Sequence, residues 1–417
     1  MFSTKEEIDR IIEQYNNISD TTKWKIILLK YGINNWIEEI EQNFSKRYKT
    51  KHAIKIPKSS NYQVYDSSKS KNIILSEIII KDNKRNSSLV KLRYNPKSPI
   101  SLKYQSKEKK FLLFFKKKKV PLFIYPVEKK GDSIISFVGE DRMSAILFDG
   151  CWNWNIGKPC LFCDLNPKRK NYKNPIPNLN DLIRFDFNYK EWWANSKKTY
   201  FKKINDSIKK AFRESKPHKH LLIMSGGFID NDYLWEMIKE FLDNINKAVP
   251  LEKFDNYLNV PPPTSNHRKK LEEVKLRGIK QVEFNLEVIG EKNFAFTCPG
   301  KSESIGYKNY IKSLYLGTEI FGLGKSRSNF VLGAQPIKDL KKGILNLAEK
   351  GVVADYSVFQ PKKGTKWQEK QVLQLEDIIN FSLELSKIYK KYNFKGIYCS
   401  LSSRSSIINE VLESHVA

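Results

Sequence analysis

Histidine, methionine and cysteine are scarce in this chain: its 417 residues include five, four and five of them. Five is an odd number of cysteines, and the N-terminus, MFSTKEEIDR, lacks the apolar core of an export signal. A disulfide framework is therefore a poor explanation for the cysteines, and metal binding or catalysis is a better one. Long apolar runs are missing too. The densest, FLLFF at Phe111–Phe115, stops at Lys116–Lys119, far short of a membrane span. No membrane segment is expected, and the chain reads as cytoplasmic. Acidic residues are outnumbered, with 46 Asp plus Glu against 74 Lys plus Arg and a formal charge of +28. Such a charge attracts polyanions, so nucleic acid is one expected partner. Lysine far exceeds arginine, however, and lysine, asparagine and isoleucine are all abundant, which an AT-rich coding sequence explains as well.

Core-forming material is plentiful. Hydrophobic residues make up 40% of the chain, with 24 Phe, 20 Tyr and 8 Trp, which excludes wholesale disorder. The length fits two or three domains, or one large barrel with an appendage. From Thr4 to about Phe44 apolar residues recur at three and four, which predicts helix. From about Lys71 to Pro126, short β-branched and aromatic runs separated by Lys, Asn, Ser and Pro predict a small antiparallel sheet, with Lys116–Lys119 at a hairpin turn.

After Gly131 strands and helices alternate. Strands are expected at Met143–Gly150, His220–Gly227, before Pro261, at Gln281–Gly290, in SNFVLGA, in VVADYSVFQP and in FKGIYCS. Helices are expected between them, among them one with Leu234, Met237, Ile238, Phe241, Leu242 and Ile245 on a single face. The fold class is α/β: a full or partial parallel (β/α) barrel of the TIM type with an N-terminal α+β domain. The expected division is 1–135 for the N-terminal domain, 136–406 for the barrel and 407–417 for a C-terminal tail.

The sharpest motif is CWNWNIGKPCLFC, which puts Cys151, Cys160 and Cys163 just after the first barrel strand. Soft thiolates select iron–sulfur clusters, zinc or copper. No fourth cysteine or histidine lies at zinc-ribbon spacing, and three thiolates suit a four-iron cluster with one open iron. The three sulfurs are expected to converge without a fourth cysteine or histidine beside them. Cys298 and Cys399 read as inert cysteines ahead of an auxiliary cluster, a sulfur source or a hydrogen donor, Lys301 as a solvated loop lysine ahead of a contact to an anionic substrate, and His218 and His220 as solvated loop histidines ahead of metal ligands. GLGKS at Gly322–Ser326 is not a phosphate loop, because Glu319 stands where that motif needs glycine.

The three-cysteine motif, with Phe162 before its last cysteine, resembles the radical SAM superfamily, although eight residues fill the first gap where three are usual. Ser225, Gly226 and Gly227 look like the glycine motif that meets the amino group of S-adenosylmethionine in that family, with Phe228 where Glu is usual. Glu287 and Arg327 stand where relatives bind the amino or ribose groups and the carboxylate of SAM. The stretch from about Tyr307 to Ser406 looks most like the biotin-synthase-related branch. The resemblance implies a 4Fe–4S cluster, reductive cleavage of SAM to a 5′-deoxyadenosyl radical, hydrogen abstraction from a substrate, and an electron donor such as a flavodoxin or ferredoxin. The competing expectation is a metal-containing nucleic-acid-binding or tRNA-modifying protein, motivated by the charge.

Overall fold

The computed structural model describes residues 3–35, 37–38, 72–73, 75–105, 107–128, 130–165, 176–215 and 218–413. Two helices open it, Thr4–Gln14 and Asp20–Tyr31. The first starts in a capping box, where Ser3 and Glu6 each bond the other's backbone N–H. The helix expected to continue to Phe44 ends at Tyr31 because Gly32 adopts φ +66°, and a Cβ there would lie 2.4 Å from the Arg93 carbonyl oxygen. The rest of that expected helix falls largely outside the described residues.

Strands β1 (Ile37–Glu38) and β2 (Asn72–Ile73) form a short antiparallel pair. β3 (Glu77–Lys81), β4 (Ser87–Lys91), β5 (Ile100–Gln105), β6 (Lys110–Phe115), β7 (Lys118–Lys119) and β8 (Phe123–Pro126) form the expected antiparallel sheet. Lys116 and Lys117 both take positive φ between β6 and β7, the geometry of a tight hairpin turn.

The second sheet holds β9 (Ile135–Val138), β10 (Arg142–Ile146), β11 (His220–Met224), β12 (Asp255–Asn259), β13 (Gln281–Glu283), β14 (Ser326–Leu332) and β15 (Val352–Val358) in sequence order. β9 runs antiparallel to β10, and β10 to β15 are parallel, with helices such as Tyr189–Glu214, Asn231–Ala248 and Leu375–Lys391 between them or after the last. This is an open, singly wound α/β sheet; β15 and β9 are its two edges and are not paired, so the described residues contain no closed barrel.

The gap between those edges is bridged from elsewhere in the chain. The Val358 N–H bonds the Ser405 carbonyl at 2.9 Å, and the Lys91 N–H bonds the Arg404 carbonyl at 3.1 Å. Arg404 also pairs with buried Glu77, which accepts the Gly139 N–H at 2.9 Å. Residues 403–406 thus tie β15 to the antiparallel sheet. FKGIYCS, expected as a last strand, is irregular, and the chain meets β15 farther on, where Ser405 accepts the Val358 N–H. The expected tail carries a helix, Ile408–Leu412, with Glu410 fully buried against Lys25. No described helix is long and apolar enough to cross a membrane.

Buried polar side chains of neighbouring strands form connected groups. One buried group holds Arg327 at the opening of β14 with Asp355, Tyr257 and Glu283. Next comes a polar row. Asn259 donates to Glu283 at 3.0 Å, Asn285 to Asn259 at 3.3 Å and Ser357 to Asn329 at 3.2 Å, and the Asn285 side-chain oxygen accepts the Asn329 N–H at 2.9 Å. Burial, reinforced by Asp355, pushes the Glu283 carboxyl up to about 8. Between about pH 4.5 and 8 the native state therefore keeps a proton that the unfolded chain releases, and stability falls as pH rises through that window. Glu283→Gln should flatten this slope, read as a smaller change in melting temperature across those pH values than in the wild type. An unchanged slope would show that Glu283 titrates as an ordinary carboxylate.

Candidate active site

Cys151 follows β10 and caps a four-residue helix, Trp152–Asn155. The Trp152 N–H bonds the Gly227 carbonyl at 2.8 Å, and the Gly227 N–H reaches the Cys151 sulfur at 3.3 Å. Gly226 lies so close that a Cβ there would stand 2.4 Å from the Gly150 carbonyl oxygen and 2.9 Å from the Cys151 Cβ. The eight residues between Cys151 and Cys160 are thus a helical turn and a loop docked onto the chain beyond β13. The Lys158 carbonyl accepts the Gly300 N–H at 3.1 Å and the Thr297 carbonyl accepts the Leu161 N–H at 2.9 Å. Phe162 packs on Trp367, ring centroids 6.2 Å apart, and helps hold the Cys160–Cys163 turn.

The three expected thiols share one site. Cys163 feels the charges of both Cys160 and Cys151, and Cys151 that of Cys160. Burial comes first in pushing the Cys163 thiol up to about 12. A bound metal reverses that preference by stabilising thiolates directly.

One expectation fails here. Cys298, fully buried, shares a hydrogen bond with the Cys160 thiol, so a fourth cysteine does lie beside the three. The expected strand Gln281–Gly290 stops at Glu283, and two helices follow, Glu291–Thr297 and Pro299–Ser304, which return Cys298 to the cysteine loop. Gly290 before the first and Pro299 at the start of the second were the sequence signals for them.

Ser225, Gly226 and Gly227 follow β11 beside Cys151, and the Ser225 hydroxyl is buried without a hydrogen-bond partner among the described residues. Glu287, at φ +67° and bridged to Phe330, also joins the site. It pairs with Lys301 at 2.8 Å, and its charge acts on Cys160. Lys301 is no solvated loop residue: it sits on the Pro299–Ser304 helix and donates to the Asn285 carbonyl at 2.9 Å. Burial works against its charge, but Glu287, Tyr310 and the thiols of Cys160 and Cys298 hold it firmly protonated.

Arg327 is not brought to this site. It lies at the opening of β14, 1% exposed, in a two-pronged contact with Asp355 at 2.6 and 2.8 Å, with the Lys395 carbonyl and the Tyr389 hydroxyl around it. That is the end of the strands opposite Cys151. The basic group the site does contain is Lys301.

A second basic group faces the loop just after Cys163. Lys362 pairs with Asp164 at 2.8 Å, and the Lys91 ammonium has no hydrogen bond or ion pair among the described residues. Burial, then the neighbouring Arg404 and Lys362, lower the Lys91 ammonium to about 7, against the weaker pull of Asp164 and Glu77.

Gly226 gives a direct test of this geometry. Gly226→Ala should displace Cys151 and cut iron loading well below the wild type, because its Cβ would overlap backbone. Gly227→Ala, whose nearest atoms would be 3.4 Å away on Asn153, should load normally. Equal iron content in the two variants would show that the Gly226 contact does not set the Cys151 position.

No family model matches the chain. It is 22% identical over 268 residues to bacteriochlorophyllide c C-7(1)-hydroxylase of Chlorobaculum limnaeum, an overlap that spans 63% of each protein. Solved structures overlap it partially. Coproporphyrinogen III oxidase from Escherichia coli, a radical SAM enzyme, is 11% identical, covering 42% of this chain and 41% of its own, with a TM-score of 0.31. Methylornithine synthase is 12% identical, covering 59% and 62%, with a TM-score of 0.37. The FeFe-hydrogenase maturase of Carboxydothermus hydrogenoformans is 12% identical, covering 65% and 59%, with a TM-score of 0.36.

Proposed function

We propose that this chain is a radical SAM enzyme that functionalises a C–H bond of an anionic organic substrate. The observation that carries the reading is the gathering of Cys151, Cys160 and Cys163 beside Gly226 and Gly227 at the C-terminal ends of β10 and β11. In open α/β sheets, ligands bind outside those strand ends.

The residues fit the implied groups. Cys151, Cys160 and Cys163 would hold three irons of a 4Fe–4S cluster and leave the fourth open. The Gly226–Gly227 backbone and the orphaned Ser225 hydroxyl would receive the amino-acid end of SAM, with Glu287 and Lys301 beside it. Together, when bound and reduced by a flavodoxin or ferredoxin, these groups supply hydrogen abstraction from carbon. The protein's own part is to position the substrate and keep stray hydrogen donors away. The polar row of Asn259, Asn285, Asn329 and Ser357 lies next to Glu287, whose N–H bonds the Asn329 carbonyl at 3.1 Å, and the Lys91 ammonium, without an ion pair among the described residues, offers with Lys362 and Arg404 a cationic hold for a carboxylate or phosphate. The relative named a hydroxylase makes hydroxylation the first reaction type to test. The biotin-synthase-like character of residues 307–406 belongs to the same reading.

The test is anaerobic reconstitution with iron and sulfide, followed by SAM and a strong reductant, with 5′-deoxyadenosine quantified by mass spectrometry. Multiple turnovers are expected from the wild type and none after Cys163→Ala. A fully loaded cluster that releases no 5′-deoxyadenosine would overturn the assignment.

A further inference from the structure

At the N-terminal ends of the parallel strands, opposite Cys151, three chain segments meet. Asp141 immediately precedes β10 and is 2% exposed. His218 and His220 sit two residues apart where β11 begins, so they share a face, and their rings stack with centroids 5.1 Å apart. Cys399 comes from the irregular segment after the Leu375–Lys391 helix. One ligand atom from each of Asp141, His218 and Cys399 lies within 4.8 Å of the other two. Around a tetrahedral zinc ion, with bonds of roughly 2.0 to 2.3 Å, ligand atoms stand about 3.5 Å apart, so the three need only a small contraction.

His220 supplies an independent indication. It is 6% exposed, and its Nδ1 pairs with Asp255 Oδ2 at 2.9 Å, held there because the two residues are register partners on β11 and β12. Its Nε2 is buried, and besides Asp255 the imidazole has the Cys399 thiol as its second hydrogen-bonding neighbour. Besides Asp255, the groups acting on this imidazole are Cys399 and Asp141. A buried imidazole with one nitrogen fixed by a carboxylate, and with a thiol and a second carboxylate beside it, has the form of a metal ligand with its outer support in place.

We propose that Asp141, His218, His220 and Cys399 form a structural zinc site, separate from the three-cysteine site. The donor set combines one sulfur, two nitrogens and one oxygen, which suits zinc in tetrahedral coordination. Four protein ligands leave no open position, so the role is structural. Asp255 orients His220 and is a positioning residue. The site fastens the loop from Tyr398 to Ser402, where Tyr398 takes φ +60° and Ser402 bonds Asp141, onto the ends of β10 and β11. It thereby anchors the segment that bridges β15 to the antiparallel sheet.

The experiment uses the full chain carrying Cys151→Ser, Cys160→Ser and Cys163→Ser, so that no metal binds at the other cysteines. Zinc is measured by inductively coupled plasma mass spectrometry, and cobalt(II) titration follows the thiolate charge-transfer and tetrahedral ligand-field bands. About one equivalent of zinc per chain is expected, matching a single four-ligand site. In that background Cys399→Ser should abolish the charge-transfer band, and Asp255→Asn should weaken cobalt affinity on the order of 10- to 100-fold while keeping the band. His218→Ala, at an exposed position, guards against misfolding: it should keep the wild-type circular dichroism spectrum and lose tight zinc. Zinc absent from the triple variant, a cobalt band that survives Cys399→Ser, or full zinc retention in His218→Ala would each overturn the proposal.

Discussion

Cys160→Ala should bring iron from about four atoms per chain to near zero after anaerobic reconstitution, whereas Cys298→Ser should leave it close to four. The two sulfurs share a hydrogen bond, so the contrast is a sharp one. Cys160 lies on the turn with Cys163, whose N–H bonds the Cys160 carbonyl at 3.0 Å, and both thiols are within reach of Cys151. Cys298 is fully buried between two helices, with Cys160 as its thiol partner. It can support the loop without entering a three-thiolate site. Iron and sulfide analysis with Mössbauer spectroscopy would decide the matter. If Cys298→Ser lost iron as completely as Cys160→Ala, four thiolates would close the cluster, leaving no open iron for SAM.

Arg327→Ala should destabilise the protein by about 3–5 kcal/mol and leave SAM affinity unchanged in the folded fraction. The substitution strands Asp355, whose side chain is 4% exposed, as an uncompensated buried charge. It also removes partners from the Lys395 carbonyl and the Tyr389 hydroxyl. Urea titration at neutral pH measures the loss. Arg327→Leu combined with Asp355→Leu should recover much of it, because removing both charges avoids the desolvation cost of either alone. A stable Arg327→Ala protein that had lost SAM binding would reinstate the sequence-based role of this arginine.

Much of the architecture is legible in the residues. The apolar stripe of Leu234, Met237, Ile238, Phe241, Leu242 and Ile245 marks the Asn231–Ala248 helix, whose buried residues include all six. The order of strands after Gly131 follows from the same periodicities. Local pattern does not say which layer of a strand a side chain occupies. Arg327 and Asn329 point the same way on β14, yet the first belongs to the buried layer with Asp355 and the second to the row that includes Asn285. Nor does spacing disclose contacts that distant segments make. The burial of His220 depends on β12 and on the segment around Cys399, and the place of Cys298 depends on helices in a stretch that reads as strand.

Lys25 bonds both Glu410 and the Ser403 carbonyl, partners more than 370 positions away along the chain. Contacts of that span close the largest loops in the molecule and are expected to form late in folding, after nearer neighbours have condensed. During synthesis the Asp20–Tyr31 helix must wait for almost the whole polypeptide before its Lys25 ammonium finds Glu410, with Ile26, Ile27 and Leu28 short of their final packing meanwhile. A recombinant fragment of residues 1–135 would make that waiting state permanent. Polyanion binding by such a fragment would report an orphaned lysine and uncovered apolar surface as much as any native affinity, so the question of nucleic acid belongs to the intact chain.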